Sequence, residues 1–293
     1  MNNQLIGYLF DTNAIRVCPK DKPFWYTSGK IGPYYVNTHF LYGSEAKANE
    51  FLADIDRLKE DKTGCSKEFY RISRASYDSD PVYKGTIDTL AGYIKEHLNV
   101  EEIDYVSGGE RRDWFFSFLV ADLLDKPHIT LFKDLSAVVW QNGQAESAED
   151  LSGARVLHVA DLITTASSYE RAWVPAIRQL NGFMCWSVVV VDRLQGGAEV
   201  LRKLNVESHA LVEISSGIFE KAGEKGYIDH DQLALVLDYI ENPEESMTGF
   251  LKEHPDFLKE ALNSGGKTAE RAKLLIKGGF YGFSGEASPA KLC

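Results

Sequence analysis

Residues 155–172 read RVLHVADLITTASSYERA, and the parsing of this stretch decides the fold. Its first six residues are mostly apolar, as in a strand buried within a parallel sheet. Asp161 stands at the end of that strand, the hydroxyl-rich TTASS follows, and YERAWVPAIRQL continues as a helix. Backbone N–H groups at a helix start have no intrahelical partner, and with the helix dipole they form an anion site that Thr and Ser hydroxyls supplement. A phosphate suits such a turn, and a carboxylate just before it can accept hydrogen bonds from sugar hydroxyls. Plain helix capping is the alternative use of the same Thr and Ser residues.

The same rhythm extends outward from this stretch. Between about 87 and 214, helical segments (IDTLAGYIKEHL, WFFSFLVADLL, YERAWVPAIRQLNG, AEVLRKLNV) alternate with short apolar runs (IDYVSGG, HITLF, RVLHVAD, CWSVVVVDR, SHALVEI). That order predicts an α/β core, a parallel sheet flanked by helices, with ligands beyond the C-terminal strand ends. Residues 1–86, rich in aromatic and turn residues, read as an irregular hood-like region with one helix over 45–60. Residues 216–293 read as a polar, helical C-terminal extension. There FLKE at 250–253 recurs at 257–260, and Pro255 should divide the segment into two short helices.

Composition narrows the function. The chain has 293 residues, 44% of them hydrophobic, enough for a sizeable core. No apolar run approaches the roughly 18 residues that cross a bilayer, and MNNQLIGYLFDTNAIR lacks a signal peptide's charged start and cleavage site, so a cytoplasmic protein is expected. A net charge of −11 argues against general nucleic-acid binding and requires any positive field to be local. Cys18, Cys65, Cys185 and Cys293 are scattered, without metal-ligand spacing, and read as reduced structural thiols.

VLHVADLITTASS resembles the phosphoribosyl-pyrophosphate (PRPP) motif of type I phosphoribosyltransferases. Two further stretches are similar to orotate phosphoribosyltransferases in particular: FWYTSGKIGPYYVNTHFL at 24–41, and VVVVDRLQGGAEVLRKLNV at 188–206. Together, in order, the matching stretches cover roughly residues 10–215. The resemblance implies transfer of ribose 5-phosphate from PRPP to orotate, giving orotidine 5′-phosphate and pyrophosphate for pyrimidine synthesis, with Mg²⁺ as cofactor and a homodimer as the assembly. No nucleic-acid or membrane partner is expected.

By the same resemblance Asp161 holds ribose hydroxyls, and Thr164, Thr165, Ala166, Ser167 and Ser168 cradle the 5′-phosphate. Arg193 binds the orotate ring or its carboxylate, unless it forms a surface ion pair with Asp192. Tyr34 and Tyr35 are candidates for stacking on the base, although alternating aromatics also serve ordinary packing. Lys30 stands near the position of a family lysine that Thr27 replaces. Arg111 and Arg112 in YVSGGERRDWFF are candidates for the pyrophosphate, with a solvated pair balanced by Glu110 and Asp113 as the alternative. His158 reads as a core histidine.

Two departures from the family pattern accompany these matches. Ala160 stands where the family has an acid beside Asp161, and a lost charged hydrogen bond weakens binding by about 1.5–3 kcal/mol. The stretch corresponding to the catalytic flexible loop, 133–152, carries Lys133 as its single base, which makes Lys133 the candidate for catalytic neutralisation of the pyrophosphate. A PRPP- or nucleotide-binding protein without turnover, or a transferase for another base, is therefore the alternative.

Overall fold

In the computed structural model, which describes residues 3–283, Arg155–Ile163 forms a nine-residue strand inside a seven-stranded sheet. Four short strands come first in the chain: β1 (Ile15–Val17), β2 (Phe24–Trp25), β3 (Ile31–Gly32) and β4 (Tyr34–Val36). The large sheet comprises β5 (Tyr105–Gly109), β6 (His128–Leu131), β7 (Ala137–Gln141), β8 (Gln144–Ser147), β9 (Arg155–Ile163), β10 (Phe183–Asp192) and β11 (Glu207–Glu213). Its order is β11-β10-β9-β5-β6-β7-β8, parallel from β11 to β6 and antiparallel across β7 and β8.

Two compact units result. Among the described residues the first holds 3–14 together with Asn37–Ile214, and the second holds Ile15–Val36 together with 215–283. Helices of the first unit are α1 (Asn3–Asp11), α2 (Glu45–Leu58), α3 (Lys62–Ser79), α4 (Pro81–His97), α5 (Trp114–Leu123), α6 (Val174–Gln179) and α7 (Gly197–Lys203). WFFSFLVA is apolar all round, so α5 is buried, packed on β5 and β9. The strand-and-helix rhythm of 87–214 is realised in the expected order, and the parallel strands present their C-terminal ends on the same side.

Two parts of this unit differ from the sequence expectation. Residues 62–86 are not irregular; they form α3 and the first part of α4, whose remainder is the helix expected from 87 onward. The buried face of α3 carries Cys65, Ser66, Phe69, Ser73 and Tyr77, so two serines thin out its apolar stripe. Asp61 caps it through the Gly64 N–H, and Asp80 caps α4 through the Val82 and Tyr83 N–H groups ahead of Pro81. Residues 137–147 are not a loop but a hairpin, turned by Asn142 and Gly143, both at positive φ. Asn-Gly is a strong two-residue hairpin signal.

In the second unit, α8 (Ser216–Glu224), α9 (His230–Glu241), α10 (Pro243–Glu253), α11 (Asp256–Asn263) and α12 (Gly266–Lys277) pack with the strands of 15–36. Trp25 stacks on Phe257 at 5.5 Å, and the Tyr281 hydroxyl donates to Ile31 O while accepting from Ile31 N. Gln232 donates to the carbonyls of Val17 and Cys18. The chain breaks at His254-Pro255 into α10 and α11, as Pro255 predicts. Cys18, Cys65 and Cys185 are free, and burial pushes the Cys18 and Cys65 thiols up to about 12; Cys293 lies outside the described residues.

Glycines set how closely β5 approaches its neighbours. A Cβ on Gly108 would meet Ser117 Oγ at 2.1 Å, and one on Gly109 would meet the Trp173 ring at 2.3 Å. Trp173 is buried, so it cannot swing out. Gly109→Ala is expected to lower stability by about 1–3 kcal/mol, as overpacking does, measurable by urea denaturation.

Candidate active site

A cavity of about 300 Å³ lies in the first unit, lined by residues 110–113, Lys133, 160–169 and Trp173. It gathers most of the residues singled out from the sequence: Arg111, Arg112, Lys133, Asp161, Thr164, Thr165, Ala166, Ser167 and Ser168. These come from the loop after β5, the loop after β6 and the turn after β9, all at C-terminal strand ends.

The turn after β9 runs from Thr164 to Ala166 into a π-helical segment, Tyr169–Trp173, that continues as α6. Pro175 lacks an N–H for an α-helical bond at that junction, which favours the wider turn. Ala166 has φ of 55°, a left-handed conformation that costs a non-glycine residue about 1–2 kcal/mol. Its methyl is buried in the core cluster around Tyr169 and Trp173. Thr165, Ser167 and Ser168 are exposed, and Ser168 makes no capping hydrogen bond.

Asp161 is buried, and its Oδ2 has no hydrogen-bond partner. Burial and the neighbouring Asp113 carboxylate push its pKa up to about 8, against the opposing pull of Arg112. Asp113 is itself buried at the head of α5. Its Oδ1 accepts from the Asp161 N–H at 3.2 Å and its Oδ2 from the Gly109 N–H at 3.1 Å. His158 Nε2 lies 3.3 Å from Asp113 Oδ2 without the alignment of a hydrogen bond, while its Nδ1 pairs with Ser107 Oγ at 2.9 Å. His158 is thus a core histidine, as its place in the strand suggests, but its neighbours are the acids of the site.

The cations are held by acids. Glu110 accepts from Lys59 Nζ at 3.0 Å and from the Lys133 backbone N–H at 3.2 Å, and Lys133 Nζ stands 4.0 Å from the same carboxylate. Arg111 pairs with Asp56 of α2. The balancing partners of the Arg pair therefore differ from those expected: Asp56 serves Arg111, whereas Glu110 serves two lysines. Lys59 and Asp56 escaped the sequence reading because only tertiary packing brings the end of α2 to this loop. Asp113 did carry a signal, an acid directly before the apolar helix WFFSF. His39, in the 3₁₀ turn Thr38–Tyr42, is driven down to about 3 by burial and by Arg112 and Arg111, so it is neutral.

Arg193 directly follows β10, and its N–H donates to Ile163 O at 3.0 Å. Its Nε is buried without a hydrogen-bond partner, and Asp192 Oδ1 instead accepts from the Leu194 N–H. Gly196 supplies the positive φ ahead of α7, and Gly197 lies close against Ile163 and Thr164 O, so both glycines serve the turn. Lys30, Tyr34 and Tyr35 belong to the second unit. Tyr34 is buried against Phe219 and Tyr239, the packing alternative for an alternating aromatic. Tyr35 is half-buried near Phe24 and Tyr26, and Lys30 is exposed with its Nζ 5.0 Å from the centre of the Phe280 ring.

The structure resembles the Leishmania donovani UMP synthase, with a TM-score of 0.55 and 18% identity over 81% of this chain and 42% of that one. It likewise resembles orotate phosphoribosyltransferase from Francisella tularensis, with a TM-score of 0.51 and 15% identity over 80% of this chain and 96% of that one. The chain has the type I phosphoribosyltransferase-like fold. Two curated orotate phosphoribosyltransferases are similar to it in sequence. The Saccharolobus solfataricus enzyme is 32% identical over 91 residues, 31% of this chain and 46% of the relative; the Staphylothermus marinus enzyme is 28% identical over 221 residues, 75% and 87% respectively. The chain thus spans about half the length of the first of these relatives. No family model matches it. Within this phosphoribosyltransferase fold, no helix among the described residues is long and apolar enough to cross a membrane.

Asp161 makes stability depend on pH. Its folded pKa lies above the unfolded value of 3.8, so between about pH 4 and 8 the native state binds more protons than the unfolded one, and stability falls as pH rises. Asp161→Asn cannot ionise. It is expected to melt a few degrees above the native chain at pH 8.5, with the difference shrinking towards pH 5 in thermal denaturation.

Proposed function

We propose that the protein is an orotate phosphoribosyltransferase that moves ribose 5-phosphate from PRPP to orotate, releasing pyrophosphate. The observation that carries this reading is the single cavity in which a buried carboxylate, a hydroxyl-rich turn and three cationic side chains converge at C-terminal strand ends. Asp161 faces the ribose hydroxyls, and residues 164–168 receive the 5′-phosphate with backbone N–H and hydroxyl groups. Arg111, Arg112 and Lys133 meet the pyrophosphate. Arg193 is assigned to the anionic base, where an unpaired buried Nε can serve an acceptor.

In this reaction the bond from ribose C1 to the pyrophosphate oxygen breaks as a bond from C1 to a ring nitrogen of orotate forms. Positive charge grows on the ribose and negative charge on the leaving oxygens, so positioned charges do most of the work. Mg²⁺ neutralises pyrophosphate oxygens when bound. Two carboxylates, Asp113 and Asp161, line the cavity, a donor set that suits Mg²⁺ arriving with substrate oxygens rather than a resident protein cage. We assign the protein to pyrimidine nucleotide synthesis in the cytoplasm, acting as a homodimer, a state that sedimentation would test.

A PRPP-binding protein without turnover is the second reading, favoured by Ala160 and by the stretch 133–152, which carries Lys133 as its single base and folds in part as the hairpin of 137–147. An orotate-dependent absorbance assay with PRPP and Mg²⁺ separates the two. Turnover that drops about 10- to 150-fold in Asp161→Asn, the equivalent of roughly 1.5–3 kcal/mol for a charged hydrogen bond, is the expected result. PRPP-induced thermal stabilisation with no orotate consumed would instead favour the binding protein.

A further inference from the structure

Position 160 contributes only a methyl group to the cavity wall, yet a second carboxylate reaches the same place from another element. Beyond the last β5–β9 pair, Ser107 with His158, the Asp161 N–H is taken not by β5 but by Asp113 Oδ1. This hydrogen bond lays the Asp113 carboxylate against the backbone just after Ala160. The Gly109 N–H fixes Oδ2 from one side, and His158, two residues before Ala160 and on its face of the strand, approaches the same oxygen. A carboxylate offers about four acceptor positions. Two are filled by these N–H groups, and Asp113 lines the cavity beside the unpartnered Asp161 Oδ2.

We propose that Asp113 is the second acid of the ribose subsite, supplied from the head of α5 in place of the carboxylate that position 160 lacks. The Asp113–Asp161 pair then receives the vicinal hydroxyls of a pentose phosphate. Ala160, Asp113 and His158 form one exchange: a small residue on the strand makes room for an acid from the helix, and the histidine faces that acid where an aliphatic side chain would leave it against apolar surface.

This inference rests on the proposed PRPP chemistry, and the test keeps the two apart. PRPP and ribose 5-phosphate binding are measured by calorimetry, and KM for PRPP and orotate separately, for the native chain, Asp113→Asn and Asp113→Asn with Ala160→Asp. Asp113→Asn should weaken PRPP binding at least tenfold with KM for orotate unchanged, and adding Ala160→Asp should bring affinity back to within about threefold of native. Native binding of PRPP with Asp113→Asn equally tight, or a double variant that regains no affinity, would overturn the role of Asp113 and leave the proposed function standing. A native chain that binds neither ligand would remove both. If Asp113→Asn does not fold, Ala160→Asp alone decides: a third acid beside the pair should weaken PRPP binding, and tighter binding would show that the second acid was absent.

Discussion

The site exists because two parallel strands part company. β5 and β9 pair only from Tyr105 with Val156 to Ser107 with His158, yet both continue towards their C-terminal ends. The chain leaves β5 for β6 on one side, while β9 and β10 build the sheet on the other, so the loops after β5 and β9 diverge around a gap. Glycines at 108 and 109 let α5 and Trp173 close in below it. Backbone groups unpaired by this parting must find partners, and Asp113 and Glu110 provide several of them.

Electrostatics follow from that geometry. A chain with a net charge of −11 concentrates Arg111, Arg112, Lys133 and nearby Lys59 around one cavity, with Glu110 holding the two lysines and Asp56 holding Arg111. A phosphate or pyrophosphate entering the cavity competes with those carboxylates, so part of the Coulomb gain is offset by the ion pairs that loosen. Binding in such a site is selective for multiply charged anions, because a single weak charge does not displace a fixed carboxylate.

Local sequence carried the sheet, since buried parallel strands are continuous apolar runs and their helices keep a 3.6-residue period. It also carried the turn at 164–168 and the Arg pair, because those elements are contiguous. What stayed hidden needed distant partners. The burial of Tyr34 depends on Phe219 and Tyr239, and α3 hides its inward face behind Ser66 and Ser73. The position of Lys59 at Glu110 depends on where α2 ends in space. The hairpin at 137–147 was legible from Asn142-Gly143 but lay within a stretch matched to a mobile loop.

The division of the chain bears on its synthesis. Residues 15–36 belong to a unit whose remaining elements begin at Ser215, with the whole sheet encoded between them. At about 5–20 residues per second, the early strands wait roughly 10–40 s on the ribosome before their helical partners emerge. During that interval Trp25, Ile31 and Tyr34 have no native surface to cover them, and closing so long an intervening loop is a late, slow event unless the sheet has already drawn its ends together. Residues 15–36 are therefore a stretch of the emerging chain that stays exposed to chaperones and self-association until the helices after Ser215 are made.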